Sequence, residues 1–229
     1  MRLIIGVQAR SDSKRLPNKI YKDLVGESML KRVYKTCEQA GKIHSRVLDS
    51  KVVVLGHSKD MKLADYCEKQ DLEYFAPRSE ASDVLGRYVD AIKVNESDAV
   101  IRVTADCPLI TVKIIDAVIG GLLECDYSTN VTPRTFIDGW DCQGIWREPL
   151  FWLDEQASNR EHVFWDLEAC EETLKAFASH GWTIRRILNS DRAILNPHHP
   201  ANKASVDTQE DLERVREWIA NGSTEPVLS

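Results

Sequence analysis

Short apolar, β-branched runs alternate along this chain with segments whose apolar residues recur at helical spacing, and no other feature narrows the possible folds so much. The runs are Leu3–Gln8, Lys51–Leu55, Leu72–Phe75, Val100–Thr104, Tyr127–Asn130 and Thr183–Leu188. Between them lie helical patterns over Met29–Ala40, Met61–Lys69, Asp83–Val94, Val112–Glu124 and, at the end, Gln209–Ala220. In Met29–Ala40, for example, Met29, Leu30, Val33, Tyr34, Cys37 and Ala40 share a face while Lys31, Arg32 and Lys35 lie between them. Strands alternating with helices predict an α/β domain with a mostly parallel sheet flanked by helices. A chain of 229 residues suits one such domain, spanning residues 1–229.

Ligands of such sheets sit in the crevice beyond the carboxyl ends of the strands. The segments following Gln8, Phe75 and Thr104 are all expected to leave strands at that edge. Residues 132–165 break the alternation and are rich in Gly, Pro, Trp and charge, so they read as an insertion capping an acceptor site. Trp140, Trp146, Trp152 and Trp165 crowd this stretch, where packing or a subunit interface is favoured over stacking on a ligand. The stretch 221–229 reads as a loose tail, and His198-His199 as loop.

A net charge of −6 argues against partners bound by broad basic surfaces, namely nucleic acid and anionic membranes. No apolar run approaches the roughly 20 residues that span a bilayer, and the reading is of a cytoplasmic protein. The six cysteines are scattered singly, without zinc-ligand spacing, and read as reduced apolar fillers.

Ala9–Lys19 packs four cations and two hydroxyls into eleven residues directly after the first strand. Backbone amides, hydroxyls, Arg forks and a Lys charge in one loop have the composition of a triphosphate cradle; a solvated basic loop is the alternative. The loop is neither a Walker A motif nor a dinucleotide GxGxxG.

Gln8-Ala9-Arg10-x-x-Ser13-x-Arg15-Leu16-Pro17-x-Lys19 resembles the opening motif of the CMP-sugar-acid synthetases, with closest similarity to the branch named for the spore coat polysaccharide biosynthesis protein SpsF. Asp83-Val84-Leu85-x-Arg87-Tyr88, Arg102-Val103-Thr104-x-Asp106-Cys107-Pro108-Leu109-Ile110, Asp138-Gly139-x-Asp141, Arg160-Glu161-His162-Val163 and Ser205-Val206-Asp207-Thr208-x-Glu210-Asp211 follow in that family's order. One departure is Asp12, which stands where the family usually has Gly.

The resemblance implies a nucleotide-diphospho-sugar transferase-like fold. It also implies a cytidylyltransferase that moves CMP from CTP onto an acidic sugar or similar anionic acceptor for surface polysaccharide synthesis. In that assignment Arg10, Ser13, Lys14, Arg15 and Lys19 hold the phosphates, with Lys19, Arg10 and Arg15 catalytic; Arg78, Ser82 and Asp83 lie near the nucleoside. Asp106 and Asp207 are the expected Mg²⁺ ligands, a metal that takes one or two protein carboxylates plus phosphate oxygens. For Asp207 a helix-capping role competes. Arg134, Asp141, Gln143, Arg160, Glu161 and His162 are the candidate acceptor-binding residues, and a homodimer is expected. Two rivals are kept open: a metal-dependent glycosyltransferase using a nucleotide sugar, for which no DxD is evident, and a non-catalytic nucleotide-binding protein of a glycan pathway.

Overall fold

A computed structural model describes residues 1–189 and 203–222, which form one α/β unit around a seven-stranded sheet. The strands are β1 (Arg2–Gln8), β2 (Asp49–Leu55), β3 (Tyr74–Phe75), β4 (Ala99–Thr104), β5 (Tyr127–Thr129), β6 (Gln143–Trp146) and β7 (Ile184–Arg186). Their order is β3-β2-β1-β4-β6-β5-β7. All neighbouring strands pair in parallel except at β6, which runs against both β4 and β5.

Leu3 to Val7 are all buried, as expected of a strand covered on both faces. Leu3, Ile5 and Val7 face one layer with α1 (Met29–Gln39), α2 (Met61–Gln70), α4 (Val112–Leu122) and α8 (Gln209–Ala220). Ile4 faces the other, with α3 (Val84–Val94), α5 (Arg147–Gln156), α6 (Trp165–Ala169) and α7 (Glu171–Ser179). Side chains of Ser28, Asp60, Asp83 and Thr111 accept backbone N–H bonds at the starts of α1 to α4, satisfying donors that a helix terminus leaves unpaired.

The segments after Gln8 and after Thr104 leave the sheet at the β1/β4 junction, where the strand order reverses direction; this is the switch point at which open α/β sheets carry their ligands. The insertion reading of 132–165 needs correction at its centre. Gln143–Trp146 is a sheet strand wedged between β4 and β5, and α5 follows it directly. Trp146 donates its indole N–H to the carbonyls of Leu122 and Cys125, Trp140 is 8% exposed, and Trp152 packs edge-on against Phe177 and Trp182. These three tryptophans are packing residues. All six cysteines are unpaired, four of them buried. No described helix is long and apolar enough to cross a membrane. His198-His199 and residues 223–229 lie outside the described residues.

Candidate active site

The basic loop is fixed at both ends. Ala9 donates its N–H to the Leu55 carbonyl, and Ser11 gives Asp60 both its backbone N–H (2.8 Å) and its hydroxyl (2.6 Å). Asp60, 5% exposed, simultaneously accepts the Leu63 N–H at the start of α2. At the far end Leu16 and Ile20 are buried, and Asn18 takes a left-handed conformation that turns Lys19 inward. Between these anchors Arg10, Asp12, Lys14 and Arg15 are exposed and Ser13 is half-buried. Asp12 lies 3.8 Å from Arg10, so its extra charge is turned onto a neighbouring cation.

An Asp ahead of a helix is legible as a cap, but Asp60's grip on Ser11 crosses 49 residues and has no local signal. Asp60→Ala should therefore cost about 2 kcal/mol of stability. Denaturant melts of the variant beside the parent test this, and unaltered stability would show that the loop does not need this anchor.

Lys19 reaches the switch point, 8% exposed. Its ammonium donates to Asp106 Oδ2 (2.6 Å), Asp207 Oδ1 (3.0 Å) and the Val206 carbonyl (3.0 Å). Two acids 101 positions apart thus meet on one ammonium, because Val206 N–H bonds the Asp106 carbonyl at 2.8 Å and lays the late segment against the end of β4. Burial alone would pull the Lys19 ammonium down, but Asp106 and Asp207 outweigh it and hold it above its ordinary range. Burial likewise pushes both acids up, and the cations reverse this. Lys19 holds Asp106 low, and Lys203 and Lys19 hold Asp207 low. Arg15 also lies 2.8 Å from Asp207 Oδ1, and Lys203 2.9 Å from its Oδ2.

Thr208 resolves the capping alternative for Asp207. Its hydroxyl accepts the Asp211 N–H while Asp211 returns a bond to the Thr208 N–H, so the start of α8 is closed without Asp207. Gly139 packs this floor. Its φ is +103°, and a Cβ there would come within 2.1 Å of the Ser205 nitrogen, so no other residue lets the two segments touch.

The remaining candidates separate into groups. Arg78 forks onto Asp90 and also bonds Asp83, which caps α3 and receives Arg160 at 2.7 Å. Arg160 grips Asp154 as well, and its carbonyl accepts the N–H groups of Val84 and Leu85. A nucleoside-side candidate and an acceptor-side candidate therefore meet in one charged clamp at the start of α3. Ser82 is exposed next to it. Arg134 forks onto Asp141 (2.8 and 3.0 Å). Gln143 is 3% exposed inside the sheet, and Glu161 and His162 are exposed on the loop before α6.

A family model described as "Cytidylyltransferase" matches residues 4–138, more than half of the chain, and covers both the basic loop and Asp106. The chain belongs to the cytidylyltransferase family. Among curated relatives, a 3-deoxy-manno-octulosonate cytidylyltransferase of Chlorobium luteolum is 30% identical over 97% of this chain and 99% of its own length. An uncharacterized protein of Methanocaldococcus jannaschii is 27% identical over 71% of this chain, a match that spans 65% of that protein. Among solved structures, a cytidylyltransferase from Leptospira borgpetersenii superposes with a TM-score of 0.78 at 27% identity, over 96% of this chain and 87% of that one. A CMP:2-keto-3-deoxy-manno-octonic acid synthetase complexed with CTP shares the fold, with a TM-score of 0.70 at 17% identity, over 97% of this chain and all of that one.

Within this cytidylyltransferase the described residues contain no cluster of three or more His, Cys, Asp or Glu side chains that would enclose a metal by themselves. The paired Asp106 and Asp207 carboxylates nevertheless fit a small hard cation, which needs only one or two protein oxygens when a polyphosphate supplies others. Asp60 on Ser11, Lys203 on Asp207, Asp154 on Arg160 and Glu168 on Gln143 are polar residues of the site that no sequence motif marks.

Proposed function

We propose that this cytidylyltransferase transfers CMP from CTP to an acidic sugar or a similarly anionic acceptor. An acceptor oxygen attacks the α-phosphorus, the bond from that phosphorus to the bridging oxygen breaks, and pyrophosphate leaves. The observation that carries the reading is the convergence of Lys19, Asp106 and Asp207 beside an exposed cationic loop at the sheet's switch point. Asp106 and Asp207 would hold Mg²⁺, which when bound neutralises phosphate charge and orients the triphosphate.

The chain's own part is positioning and charge. Arg10, Lys14 and Arg15, exposed on a loop anchored at both ends, meet the triphosphate, together with the half-buried Ser13. Lys19 supplies a buried cation where negative charge builds as pyrophosphate departs. Arg78, Ser82 and Asp83 lie on the nucleoside side, and the polar residues over β4, β6 and β5 face the acceptor. A place in surface polysaccharide synthesis, in the branch named for SpsF, with a homodimeric cytoplasmic enzyme, completes the reading.

Pyrophosphate release measured with each of the four nucleoside triphosphates, Mg²⁺ and a panel of sugar acids is the direct test. The expected result is release with CTP at least about tenfold faster than with the other three, dependent on both metal and acceptor. Equal use of all four triphosphates, or release independent of any acceptor, would refute it.

A further inference from the structure

One rung of the sheet is polar from β4 through β6 to β5. Arg102 on β4 is in register with Gln143 on β6, and Gln143 with Thr129 on β5. Gln143 is 3% and Thr129 2% exposed, and Arg102 is half-buried. Polar side chains at such positions cost stability unless bonded, and here they bond one another in a fixed direction. Arg102 donates from Nε to the Gln8 side-chain oxygen (3.0 Å) and from Nη1 to that of Gln143 (2.6 Å). The Gln143 amide then donates to Glu168 Oε1 (2.5 Å), which also accepts the hydroxyls of Tyr127 (2.8 Å) and Thr129 (3.3 Å).

The charges on this rung are not matched in the way that the others at this edge are. Lys19, Lys203 and Arg134 each lie against a carboxylate. Arg102 lies within ion-pair distance of none among the described residues; its two partners are neutral amide oxygens, and its Nη2 makes no hydrogen bond there. Arg87 is sealed at 2% exposure and donates from Nη2 to the Ala81 carbonyl. At the other end Glu168 has gathered three donors on one oxygen and, among the described residues, none on Oε2. Gln143, expected to bind a sugar hydroxyl, has both ends of its amide committed and is a positioning residue.

We propose that Arg102 and Glu168, set apart by Gln143, form the subsite for the acceptor, with the Arg102 guanidinium holding a carboxylate and Glu168 accepting a hydroxyl of the same molecule. A cation with open donors and an anion with an open acceptor, on one rigid rung, complement a polyhydroxy acid and disfavour a neutral sugar, which would leave the guanidinium desolvated without a counter-ion. Arg102 lies on β4 and Asp106 two residues beyond the end of that strand, so an acid held by Arg102 would sit on the approach to the Asp106–Asp207 pair. The inference rests on the transfer reading above.

The test compares the parent with Arg102→Gln, Arg102→Lys, Glu168→Gln and Gln143→Leu. Pyrophosphate release is followed with CTP, Mg²⁺ and, as probes, 3-deoxy-manno-octulosonate, N-acetylneuraminate and the carboxamide of each. Losing one charge-assisted contact should raise the acceptor KM about 10- to 100-fold in Arg102→Gln, with the KM for CTP within about twofold of the parent. The preference for acid over carboxamide should vanish in that variant, survive in part in Arg102→Lys, and persist, at weaker binding, in Gln143→Leu. Should Arg102→Gln not fold, the Arg102→Lys and Glu168→Gln comparisons decide the question, since Lys keeps the charge of Arg102 and Gln the shape of Glu168. An unchanged acceptor KM in the Arg102 variants, or equal use of acid and carboxamide by the parent, overturns the inference. Release with neutral or phosphorylated sugars but with none of the acids overturns it while the transfer reading stands; no CTP-dependent release with any acceptor removes both.

Discussion

Asp106→Asn is expected to slow CTP-dependent pyrophosphate release by about a thousandfold while moving the melting temperature by only a few degrees. Asn keeps an oxygen that can accept from Lys19, and Lys19 retains Asp207 at 3.0 Å. Removing the Asp106 charge also relieves repulsion from Asp207, which otherwise pushes the Asp106 carboxyl up. What Asn cannot supply is a second anionic oxygen for a divalent cation.

Asp207→Asn should behave differently, because Asp207 is the counter-ion shared by Arg15, Lys19 and Lys203. That variant should lose activity to a similar degree and in addition about 2 kcal/mol of stability, because Arg15 and Lys203 lose a charged partner as well as Lys19. Thermal melts run beside the pyrophosphate assay make the comparison. Turnover by Asp106→Asn within tenfold of the parent would remove this residue from the chemistry.

What was legible in the sequence follows from how local each signal is. The strand before the basic loop is a run of five buried apolar residues, and each helix from α1 to α4 opens on a Ser, Asp or Thr cap, so periodicity and capping suffice to find them. Strand β6 escapes because Gln143-Gly144-Ile145-Trp146 is four residues with a polar start, and its burial is imposed by β4 and β5 on either side. α5 begins Arg147-Glu148-Pro149, beside tryptophans that read as loop composition, and escapes with it.

The same divide runs through the site. Lys19, Asp106 and Asp207 stand in recognisable motifs, and the structure brings all three together. Their supports do not announce themselves. Asp60 under Ser11, Asp154 on Arg160 and Glu168 on Gln143 are single acids whose significance depends on what the fold lays beside them. An arginine expected to fork onto a substrate anion, Arg160, is found between two acids of the protein itself, because a guanidinium takes the partner that folding delivers.

Lys19→Met is the variant with the strongest coupled effects. The ammonium accounts for three hydrogen bonds to oxygens of Asp106, Asp207 and Val206, so replacing it by an apolar chain of similar length leaves two carboxylates facing each other with their shared cation gone. Breaking a buried ion pair from one side costs about 3 kcal/mol or more, and loss of a preorganised cation from the transition state should slow turnover by about 10²- to 10³-fold. In the parent, Lys19 holds one oxygen of each carboxylate, so a divalent cation bound by Asp106 and Asp207 would compete with the ammonium in the absence of nucleotide. Mn²⁺ added without CTP should accordingly raise the melting temperature of Lys19→Met by more than it raises that of the parent, since a ligand stabilises in proportion to its affinity for the folded state. Adding Asp106→Asn to Lys19→Met should abolish that excess. If Mn²⁺ stabilises the parent and Lys19→Met equally, the lysine and the metal use different oxygens, and the acid pair is a lysine-binding device with no part in holding a cation for catalysis.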